Sequence, residues 1–567
     1  MRFWLAITLF VGGLVAGSVG LVNQIENTPI DKIYAAKQLE RSTTYVYVPS
    51  SLLSSYSAPV SIEVRGENVF VGVARDVDIL GWIGDSNFVE LRLTVSAAKE
   101  TATLVEMNRP GTGELYDPHG SDTWREEYSD VGVVRLDPVQ DGETGLLIAA
   151  NGIDLAPRNV TLVWDLPPAP TPVAPITFIG IGLMGLGVLF GLWVSYDNWR
   201  RQRARRSGTG KGRPKRRPPR RVVSQAGPDT RRGRRAALSM VAAGLVAASL
   251  TGCVAEYQNP ILSPSSLPAP ELLTAAVTRD QGERILADVV KVLKQADQNL
   301  DRESLETRVA GPALEIRRFA YNLARRFEEE DRTPEPILAQ PVQLFLPPAT
   351  DTWPRTMVFV TGEETPQLLV LRQGSARDSF KLYQYFPLLP GIEFPQVAAE
   401  TVGANLVKAD SKFLKLAPEV LAEAVGDLLN NGAGSAWTDV VDPNNPYIRE
   451  VSAFQIGLAQ SLTNANLDFG HEISTYPLTL MSTIDGGALV GIYMYDTYSI
   501  IPREPGDAVA ISGDEAVLLG SAGSATGIET KYGAMLLFHV PAAGSDQLIT
   551  LLGATQQLMT AESLGVQ

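Results

Sequence analysis

Arg231-Arg-Gly-Arg-Arg235, then Ala236-Ala-Leu-Ser-Met-Val-Ala-Ala-Gly-Leu-Val-Ala-Ala-Ser-Leu250, then Thr251-Gly252-Cys253, is the stretch from which the organisation of this chain is read. Four arginines lead into 15 residues without a charge, and the run closes on the only cysteine of the protein. Such a run is shorter than the roughly 20 residues of a spanning helix and close to the roughly 7–15 of a secretory apolar region. One cysteine cannot form an internal disulfide. The three histidines, His119, His471 and His539, are far apart in sequence. A single thiol with scattered imidazoles does not make a Cys/His zinc site, so no metal and no other cofactor is expected.

Behind that cationic and apolar lead, Leu250-Thr251-Gly252-Cys253 resembles the lipobox of bacterial lipoprotein signals. The resemblance implies a diacylglycerol on the Cys253 sulfur and a cut in the peptide bond before it. The motif sits in mid-chain, so two outcomes are open. The chain stays whole, with a third hydrophobic segment over residues 236–253, or it is cut and residues 253–567 become a separate lipoprotein.

Charge is segregated around this point. Arg200 to Arg235 holds 16 Lys/Arg against one acid, Asp229, a net of +15 in a chain whose total is −14. Phe3 to Val22 is 20 residues without a charge, preceded by Arg2, so residues 1–23 read as an anchor, or as a cleaved signal ending near Ala16-Gly-Ser18. Ile176 to Tyr196 is a second uncharged run, with Trp193 and Tyr196 suited to the interface, and sets a transmembrane helix over 172–197. Its glycines, Gly187 and Gly191 above all, predict close packing on another helix. Lys/Arg excess beside a span marks the cytoplasmic side. Arg200, Arg201, Arg203, Arg205 and Arg206 at one end, and Arg231, Arg232, Arg234 and Arg235 at the other, therefore pin residues 198–235 inside the plasma membrane. The large flanking domains fall outside. Rich in Pro and Gly and nearly free of apolar residues, 198–235 reads as a disordered basic loop. Its cations suit membrane lipid head groups. No aromatics interleave them, so nucleic acid is not an expected partner.

Residues 24–171 read as an all-β, sandwich-like outer domain. Thr43-Thr-Tyr-Val-Tyr-Val48, Val60-Ser-Ile-Glu-Val64, Asn68-Val-Phe-Val-Gly-Val73, Phe88 to Val95 and Val160 to Trp164 alternate or are β-branched. Arg65-Gly-Glu-Asn68 and Asp141-Gly142 are turn signals between them. Asn68 to Asp78, Asp122-Thr-Trp124 and Asp141 to Gly152 resemble, in that order, the outer β-domain of uncharacterised envelope membrane proteins of high-GC Gram-positive (actinobacterial) bacteria. The aromatic of that pattern after Asp141-Gly142 is absent here. The resemblance implies an extracytoplasmic domain and brings no catalytic residue.

After a Pro/Ser tether at 254–270, the rest is α+β. Helices are expected over Ile285–Leu300 and from Gly311-Pro312, with strands at Met357–Val360, Gln367–Leu371 and Phe380–Phe386. The pattern then recurs. Helices at Val420–Leu429 and Val451–Leu462 precede a hairpin around Asp485-Gly-Gly487 and strands at Ala508–Ile511, Ala516–Leu519 and Ala534–Val540. Two modules, 271–400 and 401–567, resemble cone-shaped folds of the nuclear-transport-factor-2-like (NTF2-like) kind.

Catalytic constellations are scarce. Gly208-Thr-Gly-Lys211 fails the phosphate-loop spacing, and Ser521 and Ser524 fail the nucleophile-elbow frame. His471 beside Glu472 is a candidate acid–base pair. Asp76/Asp78 and Asp442-Pro-Asn-Asn-Pro446 offer hard oxygens but read as turn residues, and Glu328-Glu-Glu-Asp331 as a solvated face. The expected function is a non-enzymatic membrane protein or lipoprotein of the bacterial cell envelope that binds or scaffolds, with membrane lipids and an envelope protein as partners. The alternatives are an envelope enzyme acting on wall polymer or lipid-linked sugar, and a carrier of lipid or small ligand.

Overall fold

In a computed structural model, residues 2–26, 32–96, 101–138, 141–166, 174–206, 273–327 and 333–565 are described. The chain divides into two units: Met1–Pro29 with Pro168–Leu272, and Ile30–Pro167 with Leu273–Gln567.

Among its described residues the first unit has two helices, numbered like all elements in chain order: α1 (Arg2–Glu26) and α4 (Ala174–Arg206). Both are long and apolar enough to cross a membrane, with mean hydropathy reaching 2.2 in an 18-residue stretch within Arg2–Val22 and 2.0 in one within Thr177–Arg203. Glycines bring their backbones together. A Cβ added at Gly13 would lie 2.8 Å from the Gly180 carbonyl oxygen, and one at Gly187 2.8 Å from the Phe10 nitrogen. Gly191 makes only ordinary contact, 3.9 Å from Ala6 Cβ, so of the expected pair Gly187 alone permits the close approach. The Arg2 guanidinium lies 5.9 Å from the Trp193 ring and 4.0 Å from Asp197, so the pair is antiparallel. The helix does not stop at the expected end of the span, 197. Helix α4 runs on through Arg206, because Arg200, Arg201, Arg203, Arg205 and Arg206 are good helix formers with no Pro or Gly among them. Residues 198–206 are therefore not part of a loop.

In the second unit the β-domain comprises β1 (Lys32–Gln38), β2 (Val46–Val48), α2 (Ser50–Leu53), β3 (Val60–Arg75), α3 (Asp76–Ile83), β4 (Phe88–Ser96), β5 (Thr101–Arg109), β6 (Glu126–Leu136), β7 (Thr144–Ala149) and β8 (Asn159–Asp165). A sandwich was expected; the structure has one sheet, ordered β1-β8-β3-β7-β2-β4-β5, with β6 also on β3. It is nearly closed: Glu106 of β5 accepts the backbone N–H of Glu40 (2.9 Å) and Arg41 (3.2 Å), just past β1. The reason lies in β3. Arg65-Gly-Glu-Asn68 is no turn but an irregularity inside one 16-residue strand, which pairs with β6, β7 and β8. Gly66 is needed there, since a Cβ would lie 2.9 Å from Pro157. Period-two alternation gives each strand's buried face but not whether that face meets a second sheet or the same sheet curling round.

The C-terminal region begins with α5 (Arg279–Asn299), α6 (Arg302–Arg308) and α7 (Gly311–Ala324). Thr278 and Gln281 form a capping box on α5, and Pro312 opens α7. The two long helices are tied inside: Arg317 donates to Asp297 (2.8 Å), as does the Tyr321 hydroxyl (2.6 Å). They lead into a sheet of β9 (Val342–Leu346), β10 (Arg355–Thr361), β11 (Gln367–Gln373) and β12 (Lys381–Pro387), in reverse order. Then α8 (Leu421–Asn431) and α9 (Pro446–Ser461) precede β13 (Ala465–Ile473), β14 (Thr479–Ser482) and β15 (Ala488–Pro502). A small ribbon of β16 (Val509–Ala510) and β17 (Gly523–Ser524) flanks α10 (Gly513–Leu519), and β18 (Ile528–Val540) and β19 (Thr550–Ser563) complete the sheet β13-β15-β18-β19. The expected hairpin is β14/β15. The strand expected at Ala516–Leu519 is helix α10 instead: Gly513 and Gly520, both at positive φ, bound it, and Asp514 and Glu515 suit its first turn. One core joins both sheets, with Phe386 of β12 in the same buried cluster as Met535 and Leu537 of β18.

Candidate functional site

Helix α9 and the last sheet border a cavity of about 240 Å3. Asn445 caps α9 by accepting the Ile448 N–H, and the 3.6-residue period then sets Tyr447, Val451, Phe454 and Gln455 toward the cavity. From the sheet come Phe469, His471, Asp496, Tyr498, Tyr532 and Gln556. His471 and Asp496 are directly paired across β13 and β15, so their side chains leave the same face.

A buried polar cluster forms one wall. His471 Nδ1 lies 2.7 Å from Asp496 Oδ1, and Gln455 Nε2 lies 3.2 Å from His471 Nε2. An amide nitrogen only donates, so Nε2 accepts and Nδ1 carries the hydrogen that Asp496 receives. Asp496 Oδ2 accepts from the Tyr447 hydroxyl and from Gln556 Nε2 at 3.2 Å. Burial, with the Asp496 charge beside it, pushes the Tyr447 phenol well above its ordinary range and keeps it a donor. Tyr498 and Tyr532, also raised chiefly by burial, donate to Glu515 of α10. As a catalytic triad the set is incomplete. His471 Nε2 is engaged by Gln455, and the one hydroxyl of a Ser or Thr in the lining, on Thr497, bonds the Gly470 carbonyl. What remains is an aromatic-walled cavity whose lining has carboxylates and no Lys or Arg.

A second cleft, of about 860 Å3, has His539 and Asp485 in its wall. His539 Nε2 lies 3.3 Å from Asp485 Oδ2 without the geometry of a hydrogen bond. Burial lowers the His539 pKa, and Asp485 only partly offsets this.

The β-domain and the C-terminal region meet in a buried polar joint. Arg75, at the end of β3, donates twice to Asp78 (3.0 and 3.1 Å) and once to Asp351 (3.0 Å). Arg355 of β10 reaches the same Asp78 at 2.6 Å. Side-chain exposure of Arg75, Asp78 and Arg355 is 5%, 4% and 4%, so the charges neutralise one another away from water. Burial works against the Arg75 charge, but Asp78 outweighs it and the pKa is raised; burial prevails at Arg355, whose pKa is lowered. Arg377 donates to the Trp82 and Ile83 carbonyls, both at 2.6 Å, closing the C-terminal end of α3 from across the joint. Asp122 accepts from Arg308 (2.6 Å) and from the Phe380 backbone (2.7 Å), while Gln281 and Arg284 donate to the Asp122 and Trp124 carbonyls. Trp82 and Trp124 share a buried cluster with Ala376, and Trp353 packs against it.

A family model, domain of unknown function DUF8094, matches residues 273–563, more than half of the chain. The chain belongs to the DUF8094 family. No curated protein and no solved structure matches it. The cavity lies wholly within the DUF8094 region, while the joint links that region to the β-domain outside the match.

Cys253 and the rest of the lipobox, Leu250, Thr251 and Gly252, lie outside the described residues, as do Arg231, Arg232, Arg234, Arg235, Gly208–Lys211 and Glu328–Asp331. His471 is bonded to Asp496 and not to Glu472, because neighbours on a strand point to opposite faces. Asp76 binds the Ser50 hydroxyl and backbone N–H, and Asp442 accepts the Asn444 N–H in a turn. The three segments that carry the envelope-protein resemblance supply Arg75 and Asp78, Asp122 and Trp124, and strand β7 on the flank of β3: they build the joint. Asp496 went unremarked in sequence, although a lone acid inside the apolar run of β15 is a signal for a buried polar cluster.

Proposed function

We propose that this DUF8094 protein is a non-enzymatic, membrane-anchored binding or scaffolding protein of a bacterial cell envelope, with its body outside and the arginine-rich segment inside. The joint carries the reading. Because residues 30–167 and 273–567 form one body, they share a side of any membrane. If α1 and α4 both cross, residue 207 starts on the opposite side, and the stretch 207–272 must cross an odd number of times. The apolar segment 236–253 supplies that crossing. The charges agree: Arg2, Arg200, Arg201 and Arg203 gather at one end of the antiparallel pair, as expected of a cytoplasmic end. Labelling intact cells with a membrane-impermeant amine reagent tests this. Exposed Lys408 and Lys412 of the body should react, and Lys211 and Lys215 should not. The opposite pattern inverts the topology and removes the proposal.

The cavity beside α9 favours a ligand-binding form of this role. At about 240 Å3 it is below the usual ligand-pocket range of about 300–1,000 Å3, which suits a small molecule better than a lipid. Carboxylates without Lys or Arg in the lining select a neutral or cationic ligand that donates hydrogen bonds. Native mass spectrometry of the purified full chain should show a bound small molecule, lost in Asp496→Asn. A clean apo mass counts against the carrier form.

A further inference from the structure

We infer that the joint between the β-domain and the DUF8094 region is a subunit interface, one that keeps the two parts together as a non-covalent pair after the chain between residues 207 and 272 is cut. The inference goes beyond the envelope reading and does not depend on which side of a membrane the body occupies.

Three observations carry it. First, the joint is closed by buried charges drawn from both sides. Asp78 is shared by Arg75 and Arg355, and Asp122 by Arg308 and a backbone N–H of β12's approach. Separation would leave Arg355 without the acceptor it is buried against, and a side chain at Asp122 with 0% exposure would lose both donors. Parting the two sides would hand these groups to water and break all of these charge-assisted bonds together. Second, the packing is that of an interior. Gly81 of α3 sits so close to Trp353 that a Cβ would lie 2.6 Å from the indole. Third, helix α3 ends on the other partner, where Arg377 takes the Trp82 and Ile83 carbonyls. The Ile83 carbonyl also accepts the Ser86 N–H from its own side, so the two partners share the closing of this helix end. None of these contacts involves residues 207–272, so none is lost when a peptide bond there is hydrolysed.

The consequence is specific. Cleavage before Cys253 would not release a free lipoprotein. It would give a two-chain complex, held by the α1/α4 pair through one chain and by the acylated cysteine through the other.

The test uses the full chain in detergent, with a site-specific protease sequence inserted after Ser224. After cutting, both fragments should co-elute in size-exclusion chromatography at the position of the uncut protein. The double variant Trp353→Ala with Arg377→Ala, checked to be monodisperse before cutting, should raise the dissociated fraction roughly tenfold or more. Should that variant aggregate, Arg377→Ala alone takes its place, with hydrogen exchange of α3 as a second readout: protection is expected to fall in the cut variant and persist in the cut wild type. Separation of the wild-type fragments overturns the inference. Co-elution of the variant fragments as complete as the wild type's overturns the assignment to this joint.

Discussion

Arg355 Nη2 lies 2.6 Å from Asp78 Oδ1, although 277 residues of sequence separate them. Arg75 holds the same carboxylate from the β-domain side. Replacing Asp78 by Ala leaves two buried guanidiniums without their shared partner. Removing one member of a buried ion cluster costs about 3–5 kcal/mol. Denaturant unfolding of the purified full chain should show a loss of that size, and a loss under about 1 kcal/mol would mean the joint contributes little to cooperativity.

Gly81→Ala separates packing from helix propensity. The position is helical, where Ala is favoured over Gly by about 1 kcal/mol. Any destabilisation must therefore come from the contact with Trp353, where overpacking costs about 1–3 kcal/mol. Adding Trp353→Leu should restore much of the loss. Independent effects in the double-mutant cycle would show that the two residues do not touch.

Asp496 is expected to organise the wall of the cavity. Asp496→Ala removes the acceptor of His471, Tyr447 and Gln556, and each orphaned buried donor costs about 1–3 kcal/mol. In the intact protein, nitrogen NMR of His471 should report the tautomer with hydrogen on Nδ1. Hydrogen on Nε2 would contradict the arrangement with Gln455.

Acid should weaken the body through His539. Its pKa is lowered on folding from the ordinary 6.5, so the unfolded chain takes up the proton first. Stability is therefore complete above pH 6.5 and falls as pH drops below it, until the folded imidazole also titrates. The Asp485 carboxyl is shifted down from 3.8, so its own effect lies in a separate window at lower pH. His539→Gln should flatten the melting-temperature profile between about pH 6.5 and 5. An unchanged slope would place the titrating group elsewhere.

The helix pair makes the last prediction. A side chain at Gly13 would strike the backbone of α4, whereas one at Gly12 would meet open space. In a membrane helix-association assay with α1 and α4 expressed separately, Gly13→Leu should abolish the signal and Gly12→Leu should keep it. Equal losses would refer the effect to hydrophobicity rather than approach.

Much of the architecture could be read before any coordinates. Ile285, Val289, Leu293 and Ala296 recur at helical spacing, and all are buried on α5. Asp485-Gly-Gly487 turns β14 into β15. Reading failed where a local signal has two outcomes. Arg65-Gly-Glu-Asn68 suits both a turn and a bulge, and only the strands on either side of β3 choose between them. Ala516 to Leu519 is apolar enough for a strand, but four residues carry no period, and the flanking glycines made a helix. Of the cavity, His471 was visible and its partner was not.

What the sequence determined by itself was whatever sums over neighbouring residues. The two apolar helices, the arginine block after the second, the capped amphipathic helices and most strands depend on hydropathy, charge and propensity that need no distant partner. The tertiary structure decided the closing of the β-domain sheet, the pairing of His471 with Asp496, and the joint at Asp78. Each depends on side chains from remote segments meeting in a dry interior, where the strength of a contact is set by its surroundings and not by its place in the chain.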